Sequence, residues 1–275
     1  MIVRAAILFF LVALPGDKPL PVTGDNLDID ISGAFYVLDG HASTITKISP
    51  EGKILARIGG PGWDNDRFDQ PSGIWARNGL DIFVADYGNH RIQRFDRDLS
   101  FVSSFSTRES ENANERFGYP ADVALSRLGE LYICDTENVR VIKVDRRNRV
   151  ELSFGGVDAG KGRLTSPRKL AIGPGDHLFV LDDAIVREFD AFGNYLRDLI
   201  PREFLSPISL FGDEEALVVC DRDSLRFYVG RGSQSFFLDE LLGNERRVVR
   251  DFSISKGSVF FLTETGVTAV PDPRR

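Results

Sequence analysis

Asn26, Asp122 and Asp251 each stand immediately before the first apolar residue of a short strand-like run, and Lys169 holds the same place in a fourth run. Carboxylate and amide oxygens brought to one point form a ligand set for a hard cation such as calcium. An ammonium among them competes electrostatically with a metal, and the same side chains then read as a mixed-charge surface for a polar ligand. Gly73 and Ser209 fill the corresponding place in two further runs. One step earlier come Asp25, Ser72, Ala121, Arg168, Ile208 and Arg250. Scaffold demands are equal at equivalent positions, so function is sought where such positions differ.

A second set of polar residues is repeated. Asp39, Asp86, Asp135, Asp182 and Asp221 each close an apolar run, at spacings of 47, 49, 47 and 39 residues. A sixth run, Ser258 to Thr263, follows 42 residues later with Thr263 in the Asp position. A catalytic residue is needed once, so side chains that recur in every unit are structural. An Asp at a strand end accepts backbone N–H groups from the adjoining turn and pairs with an Arg on the returning strand, here Arg91 or Arg140. The fourth unit shortens the loop after Asp182 by two residues and is expected to lack that Arg. Pro71, Pro120, Pro167 and Pro207 set the entry into the preceding run, where no ladder N–H is required.

Self-similarity at this period means an array of small units, none able to bury its own apolar face. The second unit shows the build: an inner strand from Gly73 to Ala76, a second from Asp81 to Ala85, a third from Arg91 to Phe95 and an outer one from Phe101 to Phe105. No window carries a long, capped helical period, so helix should be scarce. Four strands per period of 40 to 50 residues is the sign of a propeller blade. The expectation is an all-β, six-bladed β-propeller of four-stranded antiparallel blades around a central channel, with blades near residues 24–60, 68–105, 117–156, 164–199, 204–238 and 248–271.

The wording of the units also resembles a known family. The Pro-x-Gly-Ile start at Pro71, the Phe83-Val84-Ala85-Asp86 strand end, the Asn89-His90-Arg91-Ile92 phrase and the Gly59-Gly60 and Gly155-Gly156 linkers are similar to those of NHL-repeat six-bladed propellers. The resemblance is sharp in units two and three and worn in five and six. It implies two enzymatic comparisons. Amidating lyases on this propeller hold a metal with several His, whereas this chain has only His41, His90 and His177, with His177 expected on the opposite face. Calcium-dependent lactonases and related hydrolases place carboxylates and Asn around the channel, which would make Asn26, Asp122 and Asp251 the ligands.

In a propeller the start of each inner strand rings the channel mouth, and the loop after the second strand opens on the same face. Those loops contribute Tyr87, His90 and Arg222, and the linkers between blades contribute Trp63 and Tyr119. Aromatic and Arg side chains on variable loops over a rigid scaffold suit a recognition surface. The Asp213-Glu214-Glu215 run falls in a turn of unit five and reads as a solvated tip. No Gly-x-Ser-x-Gly elbow, Walker loop or His-Glu-x-x-His pair is present in the sequence.

The net charge is −7, without a long run of Lys or Arg to track a phosphate backbone, so nucleic acid is disfavoured as a partner. Residues 1–16, with Arg4 ahead of about ten apolar residues and Pro15-Gly16, read as a signal peptide, placing the remainder, 17–275, in a secreted or periplasmic setting. That core is too short to span a bilayer. The alternative is that Ile7 to Val12 supplies the strand that closes the ring, since unit six ends at Pro271 with no outer strand; with the leader removed, Leu20 to Thr23 is the candidate. Cys134 and Cys220 occupy equivalent core positions in units three and five, too far apart to bridge, and are expected as free, buried thiols.

The reading is therefore an exported, non-catalytic binding or scaffold module without a cofactor. It would recognise a protein, peptide or small polar ligand through Asn26, Asp122, Arg168, Lys169 and Asp251 at the centre and Tyr87, His90, Trp63 and Arg222 at the rim. The alternative is a calcium-dependent hydrolase or lyase at the same mouth.

Overall fold

The computed structural model describes residues 20–199, 207–230, 232–243 and 248–275. Six antiparallel sheets follow one another along the chain, each a meander from an inner to an outer strand. The inner strands are Asn26–Ile29, Gly73–Trp75, Pro120–Leu125, Pro167–Ile172, Pro207–Gly212 and Val249–Ser255. Each packs beside the inner strand of the next sheet, and the last returns to the first, so six blades surround one axis. Among the described residues the only α-helix is the single turn Leu238–Leu242.

Blade six has three strands of its own. The fourth place is taken by Leu20, which exchanges two backbone hydrogen bonds with Val267, at 2.9 and 3.0 Å. Leu20 and Val22 pack with Leu27 and Ile29 of blade one and Phe260 and Leu262 of blade six. The segment that begins at Leu20 thus closes the ring, as expected for the case in which residues 1–16 are set aside. Those residues, and the alternative strand Ile7 to Val12, lie outside the described residues.

Stability comes from between the blades. Six apolar clusters sit one at each junction: Leu38 and Tyr36 against Phe68 and Val84, Ala85 and Ile92 against Val123 and Ile133, and so on around the ring. This is the packing that the period requires, because a lone blade leaves both faces wet. Cys134 and Cys220 are free and buried in two of these clusters. Burial pushes both thiols well above the ordinary range.

The repeated aspartates are brackets between chain segments. Asp86, fully buried, accepts the Asp69 N–H of the incoming linker at 2.8 Å and pairs with Arg91 at 2.8 Å. Asp135 does the same with the Gly118 N–H and Arg140, at 3.1 and 2.9 Å. Asp182 accepts the Ser166 N–H at 2.6 Å and, against expectation, also has its Arg: Arg187 lies 3.0 Å away. The shortened loop pairs Asp182 with Ile185, where blade two pairs Asp86 with Arg91. Arg187 therefore falls opposite Val180, in the register of Gln93 opposite Val84, two residues along on the same face. A guanidinium is long enough to reach back, and the contact survives the deletion. In blade six Thr263 keeps only the turn, its hydroxyl donating to the Gly266 carbonyl at 2.9 Å.

Candidate functional site

The entry of the inner strand carries a bulge in four of the six blades. Register shifts follow the strand-opening residue in blades three to six, leaving Ala121, Arg168, Ile208 and Arg250 as the extra residue. A bulge re-aims its side chain. Arg168 is thereby turned onto the neighbouring blade and donates to the Pro207 carbonyl at 2.7 Å, and Arg250 donates to the Gly24 carbonyl at 3.3 Å. Ser72 makes the equivalent bond to the Pro120 carbonyl at 2.9 Å. These three residues seam adjacent blades at the channel rim.

The next position faces the channel. An inner strand has no partner on its axial side, so its N–H groups there need acceptors from elsewhere. Asp122 supplies one to Leu170 of blade four, and Asp251 supplies one to Leu27 of blade one, each at 2.8 Å. Asp251 also accepts the Ser209 hydroxyl of blade five. Gly73 departs from the polar set for a steric reason: a Cβ there would lie 2.3 Å from an Asp122 carboxylate oxygen. Lys169 extends over the channel and donates to Asn26 Oδ1. Blades one and four stand opposite one another in the ring, so this bond crosses the mouth. Asn26, Asp122 and Asp251 are nearly fully buried beneath it. Burial pushes the Asp122 carboxyl up to about 6, against the opposing pull of Lys169.

Two residues on, and so on the same strand face, Asp28 repeats the device by accepting the Ala76 N–H at 2.9 Å. Burial raises its pKa as well. Arg77 of blade two lies 3.3 Å from Asp28 and donates to the Gly212 carbonyl of blade five at 2.6 Å, with its guanidinium 4.2 Å over the Phe211 ring. The channel is thus crossed by one cation at each end. The sequence reading missed Asp28 and Arg77; the period-two step from Asn26 was the available signal for Asp28, whereas Arg77 carries none.

At the rim the predicted residues separate. Tyr87 and His90 belong to one cluster, with ring centres 5.1 and 4.2 Å from that of Tyr119. The Tyr119 N–H donates to His90 Nδ1 at 3.1 Å, so that nitrogen carries no proton. Burial, then the neighbouring Arg108 guanidinium, hold His90 below the usual imidazole pKa. Arg108, which the sequence reading did not single out, is fixed by Glu137 at 2.7 Å. Trp63 is 69% exposed, yet its backbone is gripped: Arg91 donates to the carbonyls of Trp63, Asp64 and Arg67 at 2.9 to 3.0 Å, and Asn89 to that of Gly62. Arg222 is exposed on the loop of blade five, with its N–H on Asp221.

The oxygens proposed for calcium do not fit a cation as they stand. Lys169 occupies Asn26 Oδ1, and both carboxylates accept hydrogen bonds from neighbouring blades. The three His do not converge either. His41 lines a shallow depression between blades one and two, His90 packs on Tyr119, and His177 lies on the opposite face, 2.7 Å from Glu188. Among the described residues no group of three or more His, Cys, Asp or Glu is placed to hold a metal. Nor is any helix among them long and apolar enough to cross a membrane.

The NHL repeat family matches residues 68–95 and 117–143, the two sharpest units. Over 121 residues the chain is 31% identical to "Probable peptidyl-alpha-hydroxyglycine alpha-amidating lyase pgal-1" of Caenorhabditis elegans, covering 42% of this chain and 35% of that one. Over 134 residues it is 28% identical to "Protein brain tumor" of Drosophila melanogaster, covering 47% of this chain and 12% of the other. The chain therefore spans about a third or less of the length of these relatives. A gluconolactonase structure from Xanthomonas campestris superposes with a TM-score of 0.65 over 92% of this chain and 88% of its own, at 12% identity, which speaks to the fold alone. With two units matched by the repeat family and six blades of one build closed around an axis, the chain is an NHL-repeat six-bladed β-propeller.

Proposed function

We propose that this propeller is an exported, non-catalytic binding module that recognises a protein, peptide or small polar ligand on the channel-mouth face. The observation that carries the reading is the treatment of Trp63: its backbone is locked by a buried Asp86–Arg91 pair while its indole is left in solvent. A large aromatic presented from a fixed backbone loses little entropy on binding, which is what a recognition anchor needs. Tyr87, His90 and Tyr119 extend the same face with a second aromatic group, and Arg222 adds a cation. The ring of Asn26, Asp122, Arg168, Lys169 and Asp251 supplies the polar centre, most of it engaged between blades, so contact there falls on the exposed Arg168 and the half-buried Lys169.

One relative is named as a lyase and a solved structure that shares the fold is named as a gluconolactonase, and the calcium-dependent alternative at this mouth draws on that likeness. The Lys169 ammonium on Asn26 weighs against it. Export rests on the character of residues 1–16. Photocrosslinking from positions 63 and 87, with Phe192 on the opposite face as control, tests the binding role.

A further inference from the structure

The opposite end of the channel carries a cleft of about 260 Å³ walled by Trp75, Leu125, Ile172 and Phe211 and lined also by Arg77 and the more exposed Arg127. Arg127, on blade three, lies 3.2 Å from Asp176 of blade four and 2.7 Å from Glu214 of blade five. Glu214 belongs to the acidic run expected to be a solvated tip. The turn itself is fixed by Asp213, which accepts the N–H groups of Glu215 and Ala216 at 2.8 Å. Glu214 plays no part in that turn, and instead reaches over the cleft, past a whole blade, to Arg127.

An ion pair with partners 50% and 74% exposed contributes little to stability. Its meaning lies in what it covers. We infer that this cleft binds a small monocarboxylate with an apolar, single-ring body, and that Glu214 is the built-in carboxylate that such a ligand displaces. Glu214 is the more exposed partner and leaves, whereas Arg127 stays held by Asp176. A guanidinium presents a planar fork to an incoming carboxylate. The ring then lies among Trp75, Leu125 and Ile172, where contact with the indole adds to area burial. The volume, near the lower end for ligand pockets, fits one ring rather than a peptide. This site is on the face away from Trp63 and does not depend on the recognition role proposed there.

The chain has two tryptophans, Trp63 and Trp75, so Trp63→Phe leaves Trp75 as the sole indole reporter. In that background we expect saturable change in Trp75 emission with 3-phenylpropionate, and binding of 3-phenylpropionamide at least about tenfold weaker, because a charge-assisted bond is lost. Glu214→Gln should bind the acid roughly two- to fivefold tighter, since an exposed competitor is removed. Arg127→Gln should lose it with an unchanged thermal midpoint. No saturable response up to the solubility of the acid, equal binding of the amide, or no tightening in Glu214→Gln would each overturn the inference. If Arg127→Gln proves unstable, the amide and the Glu214 variant still decide.

Discussion

Lys169 in the fourth blade and Asn26 in the first share a hydrogen bond across the full width of the channel mouth. The bond gives an internal reason for two of the six residues on the ring. Lys169 also lies among the acids, moderating the rise that burial imposes on Asp122. Lys169→Met should therefore lower stability at pH 7 by about 1–3 kcal/mol. The loss should shrink below pH 5, where Asp122 is protonated in the folded chain. Urea unfolding at the two pH values checks both statements.

Asp122 itself makes stability depend on pH in a defined direction. Its folded pKa, about 6, lies above the ordinary 3.8, so the folded state binds the proton more tightly than the unfolded one. The stability from this group is fully present below about pH 4 and is lost as pH rises through 6. The displacement corresponds to on the order of 3 kcal/mol. Asp122→Asn keeps an oxygen for the Leu170 N–H but cannot titrate. The unfolding free energy of the native chain minus that of the variant should fall between pH 4 and 7; a flat difference would contradict the assignment.

Arg91→Met should cost on the order of 3 kcal/mol, because it leaves the fully buried Asp86 carboxylate without its cation. It should also free the carbonyls of Trp63, Asp64 and Arg67. Hydrogen exchange is then expected to quicken in residues 62–67 more than in the neighbouring blade-three linker, which Arg140 holds.

Leu20→Pro removes the N–H that donates to Val267 and should destabilise the ring by about 1–3 kcal/mol. Thermal unfolding of the chain beginning at residue 17, with and without the substitution, measures it. Indifference to the change would show that Leu20 does not close the ring in solution.

Calcium should leave the thermal midpoint unchanged relative to chelator. Asp122→Ala and Asp251→Ala should lower the midpoint equally in both conditions, since what they remove is a bond to the neighbouring blade's N–H. A ligand that binds only the folded chain raises the midpoint. Bound stoichiometric metal, with stabilisation lost in both variants, would restore the hydrolase or lyase reading.

Much of the fold was legible because repetition averages out local ambiguity: the strand-ending aspartates and the prolines mark every blade that keeps them. The positions around the mouth were legible for the same reason. Their partners were not. Lys169 and Asn26 are 143 residues apart, and Arg77 and Gly212 are 135 apart, so only ring closure brings them together. Arg187 escaped because the reading aligned by strand register, whereas the contact depends on reach from the same face. Glu214 is solvated, as a tip residue was expected to be, but its pairing with Arg127 carries no sequence sign.

The recognition claim is tested most directly by a photoreactive phenylalanine at position 63, with position 192 as control, exposed to the proteins of the compartment that receives the mature chain. A discrete adduct from position 63 that is absent from position 192, and reduced when Tyr87 or Arg222 is replaced by Ala, is the predicted result. Equal labelling from both positions, or an adduct indifferent to those substitutions, would contradict a recognition surface at the channel mouth.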